Sequence, residues 1–184
     1  KTSIIQRQNK IEIGVLSYDT SGKISNVISS LMMENIANYL SRYRMINDYI
    51  DIANGEVIDL GLEIDLIINK NENPTDIIKQ TITNTINFFS IDGRKMGDPL
   101  FVGDLIREIG QENGVVNVVD IRVYNKIGGQ YSSAEVAQSY VDNITKEIQQ
   151  QDMTIFMKSN QIYQIRFPNS DIKVRTKTLG STTY

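Results

Sequence analysis

The run Glu56–Asn69, EVIDLGLEIDLIIN, constrains this chain more than any other part of it. Ile58, Leu60, Leu62, Ile64 and Leu66 share one parity, while Asp59, Gly61, Glu63 and Asp65 share the other. Side chains alternate across a strand, so the run predicts a long, twisted strand with one buried face. A slip of one residue would turn the whole apolar set into water, so the register is strongly specified.

The flanking residues extend this reading. Asn54-Gly55 sits between the alternating run NDYIDIA and the long strand. Both residues tolerate positive φ, as a two-residue type I′ turn requires, so a hairpin is predicted there. Upstream, NKIEIGVLSY alternates weakly and reads as an arm-like strand. From Ile24 the period changes: Ile24, Val27, Ile28, Leu31, Ile36, Tyr39 and Leu40 recur at helical spacing, with Ser21-Gly22 as the entry. An apolar stripe of this kind is expected to be core.

Downstream, Asn73-Pro74-Thr75-Asp76 starts a helix, with Asn73 as cap, Pro74 in the first turn and Asp76 at the positive dipole end. Its predicted buried stripe is Ile77, Ile78, Ile82, Ile86 and Phe89, and its threonines leave the helix to be held by packing. The segment MGDPLFVGDLIREIGQENGVVNVVDIRV, residues 96–123, reads as a helix capped by Asp98, begun at Pro99, striped by Val102, Leu105, Ile106 and Ile109, and closed by Gly114 in the left-handed conformation. A strand from Val115 to Tyr124 follows. Val119, Ile121 and Val123 face one way and Asp120, Arg122 and Tyr124 the other, with a bulge expected near Val118. The glycine spacing matches neither GxxxxGK[ST] nor GxGxxG, so it does not make a phosphate loop.

Lys126–Gln130, KIGGQ, marks a boundary. A polar helix from Ser133 to about Gln150 is expected next, with Val136, Tyr140, Ile144 and Ile148 on one face. MTIFMK, QIYQIRF and, after the turn Pro168-Asn169-Ser170, DIKVRTKTL read as short strands, and STTY as a loose end. The fold class is therefore α+β: a mixed or antiparallel sheet with helices packed on one face, plus a small C-terminal unit of helix and β-meander. The expected division is 1–23 as arm, 24–125 as the α+β domain and 126–184 as the C-terminal unit.

Composition narrows the chemistry. With no Cys and no His, thiolate chemistry, imidazole acid–base catalysis and ordinary zinc sites are excluded. A 40% hydrophobic, 22% charged chain is ordinary for a globular domain. No run approaches the roughly 20 apolar residues of a membrane helix. The chain opens at Lys1 and its first Met is Met32, so it is expected to be a fragment or processed product. Charge is uneven: from Met153 onward five basic residues face the single acid Asp171, a net +4 against −7 before it.

The order helix, hairpin, helix, helix, strand over Ile24–Tyr124 resembles the baseplate-J-like family of contractile-tailed bacteriophages, which includes the large baseplate wedge protein of T-even-type myoviruses. The residues that carry the resemblance are YLSRYRMINDYIDI, EVIDLGLEIDLIIN, NPTDIIKQTITNTINFF and the passage from helix to strand at Gly114-Val115. It implies a virion structural protein in the tail baseplate, assembled in the host cytoplasm. Its partners would be other wedge proteins and further copies of itself, as a dimer within wedge and ring contacts. The family offers no catalytic, cofactor or metal-binding residues to carry over, and neither nucleic acid nor membrane is an expected partner.

Two surfaces stand out as interface candidates: the acidic strand face of Asp59, Glu63 and Asp65, and the basic residues Arg166, Lys173, Arg175 and Lys177. Their opposite signs suggest head-to-tail contacts between copies. Two other uses compete. Alternate strand carboxylates lie about 6–7 Å apart, near the spacing of glycosidase pairs, although acids are also normal on a half-exposed strand. The same acids lack the loop geometry of a calcium site. The basic strands are the residues a nucleic-acid-binding module would use. Finally, NKIEIGVLSY has no evident partner nearby in sequence and reads as a strand to be donated to another chain.

Overall fold

The computed structural model describes residues 2–7, 10–18, 22, 24–25, 27–43, 49–90, 94–136 and 141–179. The expectations for Ser21, Tyr140 and the STTY terminus lie outside these residues. The α+β class holds, with a mixed sheet at its centre.

That centre is β6 (Glu56–Ile68). One of its edges pairs antiparallel with β8 (Val115–Lys126). Its other edge pairs in parallel with two strands laid end to end, β10 (Gln161–Gln164) on its first part and β11 (Ile172–Thr178) on the rest. The predicted alternation is realised: Ile58, Leu60, Leu62, Ile64, Leu66 and Ile68 are all buried. Burying a side chain of this size contributes about 1.5–3 kcal/mol. Val123 and Ile121 continue the apolar face on β8, and Ile172 on β11.

Two helices cover this face. In α2 (Pro74–Phe88) Asn73 caps as expected, its side chain accepting from the Thr75 N–H at 3.1 Å. The buried positions within the helix are Ile77, Thr81 and Thr85, whereas Ile86 is exposed. Thr85 donates its hydroxyl to the Thr81 carbonyl, and Thr81 donates to Glu112 at 2.8 Å, so the threonines belong to the packed side. In α3 (Val102–Gly110) the stripe Val102, Leu105 and Ile109 is buried as predicted. Its start is not: Leu100–Phe101 forms strand β7, paired with β9 (Thr154–Ile155), and Asp98 accepts from Lys95 N–H instead of capping α3. Gly114 does have positive φ, +91°, in the turn after α3. The bulge also appears: Asp65 pairs with Asp120 and Leu66 with Val118, which leaves Val119 unmatched and 57% exposed.

Five further expectations are corrected. Asn54-Gly55 does not reverse the chain. β5 (Tyr49–Asn54) pairs in parallel with β2 (Lys10–Val15), and β6 enters a different sheet. Gly55 is required by packing, since a Cβ there would lie 2.6 Å from Met96 and 2.7 Å from Leu16. β2 is also paired with β1 (Thr2–Arg7), so NKIEIGVLSY supplies a central strand and not one free for donation. The first helix, α1, spans only Ser30–Ser41, is capped by Ser29 and buries none of its residues; β3 (Ser17–Tyr18) and β4 (Ile24–Ser25) form a small ribbon before it. The described residues of 133–150 form turns and bridges and no helix. Val141 bridges Ile148, and Asp142 Oδ1 accepts from both Ile144 N–H and Thr145 N–H. Lastly, the C-terminal strands form no meander, because β10 and β11 complete the central sheet around the short helix α4 (Pro168–Asp171).

Candidate interaction surface

The second face of the central sheet carries the residues singled out by charge. Because β11 runs parallel to β6, Lys173 falls opposite Glu63, Arg175 opposite Asp65 and Lys177 opposite Ile67. Because β8 runs antiparallel, Arg122 falls opposite Glu63 from the other side. Glu63 and Asp65 are therefore neighbours of Lys173 and Arg175 on a single surface, not members of two separate ones.

Glu63 is the hub, with its side chain only 15% exposed. Arg175 Nη2 lies 2.6 Å from Glu63 Oε2, Lys173 Nζ 3.4 Å from Oε1 and Arg122 Nη2 3.5 Å from Oε2. The Tyr124 hydroxyl donates to Oε2 at 3.4 Å. Burial pushes the Glu63 pKa up. The Lys173 hydrogen bond and the charges of Arg175, Lys173 and Arg122 outweigh it and hold the carboxyl below its ordinary value. Asp65 is bridged by Arg122 at 2.9 Å and by Arg175 at 3.9 Å. Arg122 also reaches Asp120 at 3.3 Å, which relieves the like-charge pairing of Asp65 with Asp120 across the strands. Opposite charges thus pair within one chain, which removes the two separate faces that head-to-tail contacts between copies would use, while Lys173 and Arg175 stay about 60% exposed.

Asp59 is set apart from this cluster. It is fully buried and accepts from Ser132 N–H at 2.6 Å and Gln164 Nε2 at 2.9 Å, with Arg166 Nη1 at 3.9 Å. Burial pushes its pKa up against these stabilising contacts. Its neighbour Asp171, also buried, accepts from Tyr131 Oη at 2.6 Å and from Phe167 N–H at 2.8 Å. These two carboxylates tie the segments 131–136 and 167–171 to the sheet. A cleft of about 290 Å³ is bordered by Glu63, Tyr124, Lys126, Thr145, Asp171 and Lys173, with the Lys126 side chain lying over Gly61 where a Cβ would sit.

The carboxylates weighed for glycan cleavage therefore have their oxygens engaged by this chain's own donors. Among the cations, Lys177 stands apart: its register partner is Ile67, and no ion pair reaches it among the described residues.

Sequence reasoning missed a further surface. α1 exposes Leu31 (66%), Met32 and Tyr39 (61%), and Tyr43 packs on Tyr39 with the rings tilted and their centroids 5.1 Å apart. Tyr49 at the start of β5 is exposed as well. Periodicity shows that a helix has an apolar side, but not whether that side meets the chain's own core. Arg122 was also missed as a site residue, although its parity on β8 placed it among the polar positions.

No protein-family model matches this chain, and no characterised protein matches it significantly.

Proposed function

We propose that the chain is a structural component of a contractile-tail baseplate wedge, acting through protein–protein contacts in wedge and ring assembly within the virion. The observation that carries this reading is α1. It is an ordered, capped helix of twelve residues that buries none of them and turns Leu31, Met32 and Tyr39 to solvent. An isolated helix of this length is marginal in water, and helices in proteins owe most of their stability to a packed apolar face. Met33, Ile36 and Leu40 are half-buried, so the large apolar side chains left in water are those of Leu31, Met32 and Tyr39, and exposed apolar surface of this kind marks protein-binding sites.

The family resemblance adds the baseplate context. Its elements β6, α2, α3 and the Gly114-Val115 passage are present in the expected order, while the hairpin before β6 is not. Copies of this chain and the other wedge proteins are the partners the reading calls for.

The test is compositional. Intact tail particles from the virus that encodes the chain are purified, dissociated and quantified by mass spectrometry against tail proteins of known copy number. The chain should appear at a fixed stoichiometry. Its absence from intact particles overturns the proposal.

A further inference from the structure

The two outer edges of the central sheet are treated differently. Along β8 the edge is closed by the chain itself: Asn125 N–H donates to the Lys146 carbonyl, Ile148 N–H to the Val123 carbonyl, and the Gln150 side-chain amide to the Ile121 carbonyl. Beyond Ile121 the strand bulges at Val119 and again at Val116, which spoils it as a template. β11 has neither device. From Lys173 to Lys177 it pairs regularly with β6 on one side, and no described residue hydrogen-bonds its backbone on the other.

The direction of the free groups follows from strand geometry. Leu179 N–H bonds the Ile68 carbonyl, so odd-numbered residues of this run turn their amides inward to β6. Ile172 N–H, one of the even-numbered set, bonds Pro168 on the outer side. Val174 and Thr176 therefore hold their N–H and C=O groups outward, and both residues are half-buried.

Charge states what can pair there. On the polar face Arg122 of β8 is followed by Glu63 and Asp65 of β6, then by Lys173 and Arg175 of β11. Around Glu63 the sign alternates from strand to strand, whereas Asp120 of β8 repeats the sign of Asp65, and among the described residues no strand pairs with β11 on its outer side. The Lys173 and Arg175 side chains are each about 60% exposed, and Lys177 has an isoleucine in place of an acid across from it.

We propose that the outer edge of β11 is a strand-addition site for an extended acidic segment of a partner protein, whose main chain pairs with Val174 and Thr176 and whose alternate carboxylates lie beside Lys173, Arg175 and Lys177. Main-chain pairing of this kind supplies affinity, and alternate side chains supply specificity. Edge lysines discourage indiscriminate pairing, and here they admit strands of one sign. The inference rests on the assembly reading and names one partner chemistry for it. It fails separately, because the particle stoichiometry above does not depend on which edge is used.

The experiment titrates the ¹⁵N-labelled chain with a short synthetic peptide carrying glutamate at alternate positions and valine between. Three controls accompany it: the same peptide with lysine for glutamate, a version N-methylated along its pairing edge, and a single-stranded oligonucleotide. The glutamate peptide should bind and slow exchange of the Val174 and Thr176 amides. Lys177→Glu, which breaks no ion pair among the described residues, should weaken binding about tenfold by turning attraction into repulsion. The lysine and N-methylated peptides should fail to bind. Four results overturn the proposal: no binding, binding without protection of those two amides, equal binding of the N-methylated peptide, or preferential binding of the oligonucleotide.

Discussion

Arg175 reaches past its register partner Asp65 to place Nη2 2.6 Å from Glu63, which joins the middles of β6 and β11 in one charged network. Removing the acid at its centre leaves Arg122, Lys173 and Arg175 gathered around a neutral group. Glu63→Gln should cost about 1 kcal/mol, a modest figure because Lys173 and Arg175 remain well solvated. Part of the loss should return at high salt, where like charges are screened. Urea unfolding at low and high ionic strength measures both effects.

Asp59 and Glu63 pull the acid limb of stability in opposite directions. The lowered pKa of Glu63 means that its contribution is present above the unfolded pKa and is lost as pH falls through the folded one. The raised pKa of Asp59 works the other way: its protonated form suits the folded state, so its contribution grows as pH falls through the folded value. Stability measured from pH 7 down to about 3 should therefore fall more steeply in Asp59→Asn and less steeply in Glu63→Gln. Parallel curves for both variants and the parent would contradict these assignments.

Met153 and Asp152 occupy a two-residue turn with φ of +56° and +50°, closed by mutual backbone bonds between Gln151 and Thr154. The Met153 carbonyl accepts from Val102 N–H at 2.8 Å, which serves the start of α3 where no side chain caps it. The left-handed backbone is thus kept for the helix end, and the exposed methionine side chain adds little. Met153→Gly should raise stability by about 0.5–1 kcal/mol, visible as a higher Tm. A lower Tm would mean that the side chain packs more strongly than its exposure suggests.

Gly114 presents the opposite case. A Cβ at its φ of +91° would also meet Ile77 Cδ1 at 2.6 Å and Glu72 Cγ at 2.9 Å. Gly114→Ala should destabilise by about 2 kcal/mol or more, combining backbone strain with overpacking beneath α2. Chemical denaturation decides it, and a near-neutral result would show that the turn after α3 can relax.

Helix α1 should exchange its backbone amides well before α2 and α3, because no buried side chain ties its opening to that of the core. Hydrogen exchange read by mass spectrometry resolves the three helices. Protection of α1 equal to that of α2 in the isolated chain would remove the main support for reading its face as an interface.

What the sequence discloses here follows the range over which each signal acts. The β6 alternation, the Asn73 cap and the Gly114 turn are visible because periodicity, capping and positive φ are settled within a few residues. Asn54-Gly55 misleads because a turn-permissive pair does not compel a turn, and β5 and β6 find better partners far away in sequence. The helix expected after Ser133 is displaced at Asp142, whose carboxylate takes the amides of Ile144 and Thr145 and competes locally with helical bonding. Of the charged candidates, Asp59 is buried, while Glu63, Asp65, Lys173 and Arg175 do share the polar face. Their mutual pairing depends on the parallel register of β6 with β11, which no local pattern encodes.

That register also orders events in time. The side chains that meet across β6 and its parallel neighbours are separated by 105 residues at Gln164 and Asp59 and by 112 at Arg175 and Glu63. During synthesis the longest apolar strand is made early and waits for β10 and β11 to emerge. Meanwhile α2, α3, β8 and the core residues Val136, Ile148 and Ile155 shelter it. Contacts so distant in sequence slow folding, and a nascent strand with an open edge is prone to the wrong neighbour. A translational pause or truncation before Ile172 would release β6 half-paired, so the final strand governs the yield of folded chain as well as the completeness of the sheet.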